Sequence, residues 1–336
     1  MSSATDALRP GLVFATLAGA AVVKYSLAAF VRWRHSQKFK LVGQVTSLTM
    51  FPVKSCSGYS VQSAECTRLG LRQSEVTDRH FLVIKPNGEF LHQRVQPRMA
   101  LIKVSPCGDQ LEINAPGMPP IKVSKDQLID KSKVKPCRVW AANLEGLDCG
   151  DEVAEWFSTF LNMSGLRLLY SAPGLTKKDM TEVTYKPWGN PSVTGDMAAY
   201  SDFGGYLIVS ENSVHDLNRR LSSPVTFRNF RPNIVVRTDA AFQEDTWLEI
   251  KVGDTVRMRM LDYCTRCTMT TVDPELGVKS SDGEPLKTLK SFRCFAPYGT
   301  FPCFGVNATV DVTGPVRIGD PVYAIQRPVF TELQDA

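Results

Sequence analysis

The chain has 336 residues, 43% hydrophobic and 22% charged, the composition of a globular protein rather than a disordered one. Its net charge is only +5, and Arg32, Arg34, Lys38 and Lys40 hold four of the positive charges in one cluster, which argues against a nucleic-acid binder with its broad basic surface. Nine cysteines, odd in number and spread over a long chain, argue against a secreted disulfide framework and for reduced thiols facing the cytosol.

In chain order, the first feature is residues 11–30, GLVFATLAGAAVVKYSLAAF, with Lys24 as the single charge. A helix of that length spans ~30 Å, the thickness of a hydrocarbon core. Ala18, Gly19 and Ala20 would suit a signal-peptide cleavage site, but the apolar run continues well beyond them. A buried core helix would leave the basic cluster that follows unexplained. The expectation is an uncleaved transmembrane anchor, with the heavier positive flank behind it holding the body in the cytosol. Such a span suits the mitochondrial outer membrane, with the endoplasmic reticulum membrane as the alternative.

Residues 31–42 form a basic linker, and from Val45 onward short β-type runs alternate with turn residues. Residues 80–85 and 89–94, either side of Pro86-Asn87-Gly88, predict a hairpin, since Asn-Gly supplies positive φ. A second strand pair is expected at 101–104 and 110–113. Residues 151–161 predict a helix capped by Asp151, with Val153, Trp156, Phe157, Phe160 and Leu161 on one apolar stripe. Residues 173–197, polar and rich in Pro, Gly and Thr, read as a long connection between halves or a loop over a site. A second helix is expected from Ser210, its cap, through Val214, Leu217 and Leu221. Strands then return at 233–237, 247–252, 255–260 and 321–325. Gly253 and Gly319 lie in two similar strand–Gly-Asp–strand segments, 249–256 and 315–322, and are expected to turn the corners of a β-barrel. Few helices among many short strands make the body α+β and mostly β.

Tyr263-Cys264-Thr265-Arg266-Cys267-Thr268 is the densest constellation of reactive side chains, and three readings stand. Half of a zinc site would need a second pair or histidines, but His35, His80, His92 and His215 lack metal-type spacing and Cys294 and Cys303 stand apart. A dithiol redox pair usually opens a helix, whereas 268–272 reads as β. The third reading is one soft thiolate on a soft metal, with Arg266 and nearby hydroxyls holding an anionic ligand. Lys54-Ser55, Arg79, Arg94 and Arg231 with Asn233 are further candidates for an anion cradle.

Four motifs occur in series: Phe51-Pro52-Val53-Lys54-Ser55-Cys56, Asp78-Arg79, Asn229-Phe230-Arg231-Pro232-Asn233, and Cys264-Thr265-Arg266-Cys267-Thr268 leading into Thr271-Val272-Asp273-Pro274. Their order and spacing resemble the signature set of the MOSC family in its anchored, amidoxime-reducing branch, over residues 43–326. The resemblance implies a tail at 1–10, a transmembrane signal anchor at 11–30, the linker at 31–42, and a β-rich MOSC N-terminal region at 43–172. A connecting loop at 173–197, a MOSC-type β-barrel domain at 198–326 and a tail at 327–336 follow.

The resemblance also implies a molybdenum cofactor, molybdopterin, in which the pterin dithiolene and one cysteine bind the metal. That cysteine is Cys267, the metal ligand and catalytic residue, with Cys264 a packed neighbour. Lys54, Ser55, Arg79, Arg231, Asn233, Thr265 and Arg266 are then implied to hold the pterin and its terminal phosphate. Phe203-Gly204 stand where the family tends to have hydroxyl residues, and Asn307 where a tyrosine is expected. The activity implied is reduction of N-hydroxylated compounds such as amidoximes and hydroxylamines, with electrons from cytochrome b5 and its NADH-dependent reductase. A persulfide carrier in cofactor maturation is the alternative, since MOSC domains also accompany cofactor sulfurases. A non-enzymatic membrane scaffold is the third.

Overall fold

Seven strands carry the architecture of the computed structural model, which describes residues 38–124, 131–182 and 192–327. They are β1 (Lys40–Met50), β2 (Tyr206–Ser210), β3 (Ile234–Thr238), β4 (Trp247–Val252), β5 (Val256–Thr265), β6 (Cys303–Val312) and β7 (Pro321–Gln326). Their order is β3-β2-β6-β5-β4-β7-β1, and β1 pairs back onto β3 (Leu48 opposite Ile234), so the sheet closes on itself. Closure removes the open edges that would invite aggregation. Strands β2 and β3 run parallel, and the crossover that such a pair requires holds a helix, Glu211–Asn218.

The barrel closes because its strands alternate apolar residues toward a common interior. Val45 and Leu48 of β1, Trp247 and Ile250 of β4, Met258 and Met260 of β5, Val306 and Ala308 of β6 and Val322 of β7 belong to one buried cluster. Gly253 and Gly319 turn corners at φ 57° and 97°, as their Gly-Asp context predicts. Ser210 caps its helix by accepting from the Asn212 N–H, although the helix stops at Asn218, short of Leu221.

Outside the barrel, Val134–Val139, Ala142–Asp148, Arg167–Tyr170 and Phe81–Ile84 form a four-stranded sheet in that order. Helix Asp151–Leu161 buries its Val153, Trp156, Phe157, Phe160 and Leu161 stripe. Its cap is Gly150 rather than Asp151; Asp151 sits in the first turn, where the helix dipole and Arg167 at 2.6 Å favour its charge. The hairpin expected over 80–94 is half formed. Phe81–Ile84 is a strand and Gly88 turns at φ 79°, but the return arm pairs with that strand by only the single bridge Ile84–Phe90 before turning at His92. The strand pair expected near 101–113 is Lys103–Cys107 with Gln110–Asn114.

The N-terminal and C-terminal halves interleave. Strand β1 completes the barrel, and Gly314–Arg317 adds to a sheet built from Ser63–Thr67, Gly70–Gln73 and Val76–Thr77. The described residues from Leu41 onward therefore form one unit. The expected anchor at 11–30, the start of the linker and the terminal tails lie outside the described residues, among which no helix is long and apolar enough to cross a membrane.

Candidate active site

Three of the residues singled out in the sequence share an unusual backbone. Ser55, Arg79 and Arg231 have φ of 68°, 49° and 61°, a left-handed conformation that disfavours any side chain by roughly 1–2 kcal/mol. Such strain persists only where the surroundings hold it, and it concentrates at functional sites. Here the backbone hydrogen bonds Lys54 N–Phe81 O (2.8 Å), Arg79 N–Phe51 O (2.9 Å) and Arg231 N–Phe227 O (3.0 Å) hold it. The bent segments thereby deliver side chains to one place.

That place is a cavity of about 140 Å³ at one end of the barrel wall. Lys54, Ser55, Arg79, Arg231, Asn233, Thr265, Arg266 and Cys267 all line it, together with Cys264. Cys267 is half-buried, follows the end of β5 and precedes a 3₁₀ turn at Thr268–Thr271. Its carbonyl accepts from the Thr270 N–H at 3.1 Å and from Thr270 Oγ1 at 2.9 Å, which pins the backbone that carries the thiol. The β reading of 268–272 is thus corrected to a 3₁₀ turn, because the threonine hydroxyls satisfy carbonyls that a strand would have offered to a neighbour. Among the described residues no three His, Cys, Asp or Glu side chains gather as a metal-holding group.

Positive charge is concentrated in the cavity beyond what its one lining carboxylate among the described residues, Asp202, offsets. Arg79 and Arg231 flank the Phe51 ring, with guanidinium carbons 4.7 and 4.2 Å from its centroid. Arg79 pairs with Asp78 and donates to Asn233 Oδ1 at 2.9 Å and to the Arg231 carbonyl at 3.1 Å. Burial, reinforced by the neighbouring Arg79, pulls Arg231 down to about 9. Burial also lowers Lys54, against the pull of Asp202, whose Oδ1 lies 2.7 Å from Lys54 Nζ. Cations desolvated this close together favour an anionic ligand. Asn233 acts on the cavity through Arg79, since its amide also accepts from Leu207 N and donates to the Thr49 carbonyl.

Two buried polar atoms in the lining have no hydrogen-bond partner among the described residues, Ser55 Oγ and Arg266 Nε. Orphaned buried donors are costly and rare. Arg266 is otherwise well held, donating to Cys264 Sγ at 2.8 Å and to the Phe230 carbonyl at 2.7 Å, so its Nε–H is left facing unmet demand. Burial raises the Cys264 thiol, with Arg266 opposing. The residues thus suit a ligand that combines phosphate-like acceptors with a soft metal.

Sequence reasoning missed Asp202, Phe230, Tyr206, Met269 and Thr270, which also line the cavity. Arg94 does not join the lining; it stacks over Trp140 at 4.3 Å. Phe203, Gly204 and Asn307 are cavity residues. Gly204 has φ 70°, and a Cβ there would meet the Ala308 carbonyl at 2.6 Å, so only glycine lets this loop lie against β6.

A closed barrel bearing a thiol- and cation-lined cavity defines the class, and comparison with known proteins agrees. Residues 42–164 match the MOSC N-terminal beta barrel domain and residues 198–323 match the MOSC domain. The chain is 40% identical over 302 residues to mitochondrial amidoxime reducing component 2 of Bos taurus, covering 87% of each chain. It is 38% identical to mitochondrial amidoxime reducing component 2 of Rattus norvegicus, covering 94% of this chain and 95% of the relative. Identity to mitochondrial amidoxime-reducing component 1 of Homo sapiens is 37%, over 94% of each chain. The chain belongs to the amidoxime reducing component family of MOSC proteins.

Proposed function

We propose that the chain is a molybdenum-cofactor-dependent reductase of N-hydroxylated compounds, amidoximes and hydroxylamines among them. The observation that carries this reading is convergence: residues from 54 to 267 meet at one cavity that leaves Ser55 Oγ and Arg266 Nε without partners. Cys267 would give its sulfur to molybdenum, a soft ligand for a soft site. Lys54, Arg79, Arg231 and Arg266 would hold the anionic pterin and its phosphate, with Ser55 and Thr265 adding hydroxyls. When bound, the group supplies two-electron oxygen-atom transfer, so that R–NHOH, two electrons and two protons give R–NH2 and water.

The chain's own part is to desolvate, orient and neutralise. The strained turns at Ser55, Arg79 and Arg231 fix the cations before the ligand arrives, so little reorganisation is spent on binding. The sequence has no Gly-rich nucleotide fingerprint, so electrons come from outside, from cytochrome b5 and its NADH-dependent reductase. The apolar segment at 11–30 anchors the body to the mitochondrial outer membrane facing the cytosol, which raises the local concentration of such partners. The relatives' names, mitochondrial amidoxime reducing components, support the reading.

Two thiols in one cavity, Cys264 and Cys267, are what the alternative of a persulfide carrier rests on. Elemental analysis with cyanolysis separates the two. The reductase predicts about one molybdenum per chain and reduction of benzamidoxime by the holoprotein. A labile sulfane sulfur without molybdenum would reverse the choice.

A further inference from the structure

Asp202 is the one acidic residue among the described residues that line the cavity. Its carboxylate is held at one oxygen only. Oδ1 accepts from Lys54 Nζ at 2.7 Å and from Trp140 Nε1 at 2.6 Å, while Oδ2 receives no hydrogen bond from the described residues and the side chain is 60% exposed. The group stays ionised: desolvation works against its charge, but Lys54 and the Trp140 N–H hold it well below the usual carboxylate range.

Trp140 is an unusual choice for its position. It occupies the two-residue turn between Val134–Val139 and Ala142–Asp148 with φ 57°, where Asn or Gly is the ordinary solution. The bulky ring is also 44% exposed. What holds it is the hydrogen bond to Asp202 and an edge contact with Phe90, ring centroids 4.7 Å apart. Arg94 lies over the indole at 4.3 Å and helps to fix the ring. The tryptophan thus orients the carboxylate from a different part of the fold.

Charge decides what that carboxylate is for. The other charged groups of the lining, Lys54, Arg79, Arg231 and Arg266, are all cations. Lys54 is already paired with Asp202 and Lys178 donates to the Asp202 backbone carbonyl, but once the ligand neutralises the three arginines, Asp202 still presents a solvent-reachable carboxylate oxygen in the wall. Amidinium and guanidinium groups are flat, cationic and rich in N–H donors, and a carboxylate oxygen is their natural partner. We propose that Asp202, positioned by Lys54 and Trp140, is the specificity residue that favours cationic N-hydroxyguanidinium substrates over neutral hydroxamic acids. This rests on the reductase reading of the cavity and deepens it.

The test begins with binding on the wild-type holoprotein, titrated with benzamidine (cationic, without an N–O bond) and with neutral benzamide. Benzamidine should bind about tenfold more tightly, and added salt should narrow the gap. Asp202→Asn keeps an acceptor for Lys54 and Trp140 and should bring the two probes close to parity. Trp140→Phe should give an intermediate loss. With molybdenum content matched, Asp202→Asn should raise KM about tenfold for an N-hydroxyguanidine and leave that for a hydroxamic acid within about twofold. Equal binding of the two probes by wild type, or equal losses for both substrates in the variant, would overturn the proposal. Should Asp202→Asn lose its cofactor, the wild-type probe pair and its salt dependence decide alone. Failure of the reductase reading looks different: a protein without molybdenum, or one that reduces neither substrate while still preferring benzamidine.

Discussion

Ser55 concentrates the site's logic in one residue: a left-handed backbone, a buried hydroxyl without a partner, and a place in the cavity lining. A structural hydroxyl would be hydrogen-bonded, so its removal should separate stability from binding. In cofactor-free protein Ser55→Ala should unfold within about 0.5 kcal/mol of wild type or slightly above it, while cofactor retention through gel filtration falls several-fold. Loss of stability without loss of cofactor would give Ser55 a purely structural role. The residue types at the site were legible in the sequence as motifs, because thiol, guanidinium and hydroxyl chemistry is local. Asp202 and Trp140 were not. Their partnership spans the distance from a turn at 140 to a loop at 202, and nothing near either residue marks the other.

At the scale of elements, local rules identified the strands, the helix stripe and the two glycine corners. They failed where side chains compete with backbone. The 3₁₀ turn after Cys267 is built on Thr270 Oγ1 and Thr271 Oγ1 bonding the carbonyls of Cys267 and Thr268, and a run of threonines otherwise reads as β. The loop against β6 depends on Gly204 in the same way that the barrel corners depend on Gly253 and Gly319. Gly204→Ala combines a positive φ with a Cβ 2.6 Å from the Ala308 carbonyl. It should cost about 1–3 kcal/mol in urea unfolding and lower cofactor occupancy as the cavity wall shifts. A variant as stable as wild type would mean the loop can move away without penalty.

The described residues from Leu41 onward form one unit because segments far apart in the chain pair with each other, and that could not be read from local pattern. Closure of the barrel by β1 and addition of Gly314–Arg317 to an N-terminal sheet are long-range pairings. Global stability should carry the signature of one buried carboxyl group beside the end of β2. Glu244 is fully buried, accepting from the Ser210 N–H at 3.0 Å and from Ser213 Oγ at 2.9 Å. Burial, with Asp245 adding repulsion, raises its pKa from 4.5 to about 7. The folded state therefore holds a proton that the unfolded chain releases, and this group's contribution to stability falls as pH rises from 4.5 to about 7. Relative to wild type, Glu244→Gln should gain stability across that window, by on the order of 1–3 kcal/mol. Chemical denaturation at pH 4.5 and pH 8 checks it, and a pH-independent difference would remove the buried proton from the account.

The central claim is that one sulfur, that of Cys267, anchors a metal whose organic chelate the surrounding cations hold. Molybdenum content and benzamidoxime reduction of Cys267→Ser and Cys264→Ser, measured side by side on folded protein, address it most directly. The expected result is loss of most molybdenum and of all N-reduction in Cys267→Ser, with substantial activity kept in Cys264→Ser. A serine variant at 267 that stays metal-replete and active would contradict it.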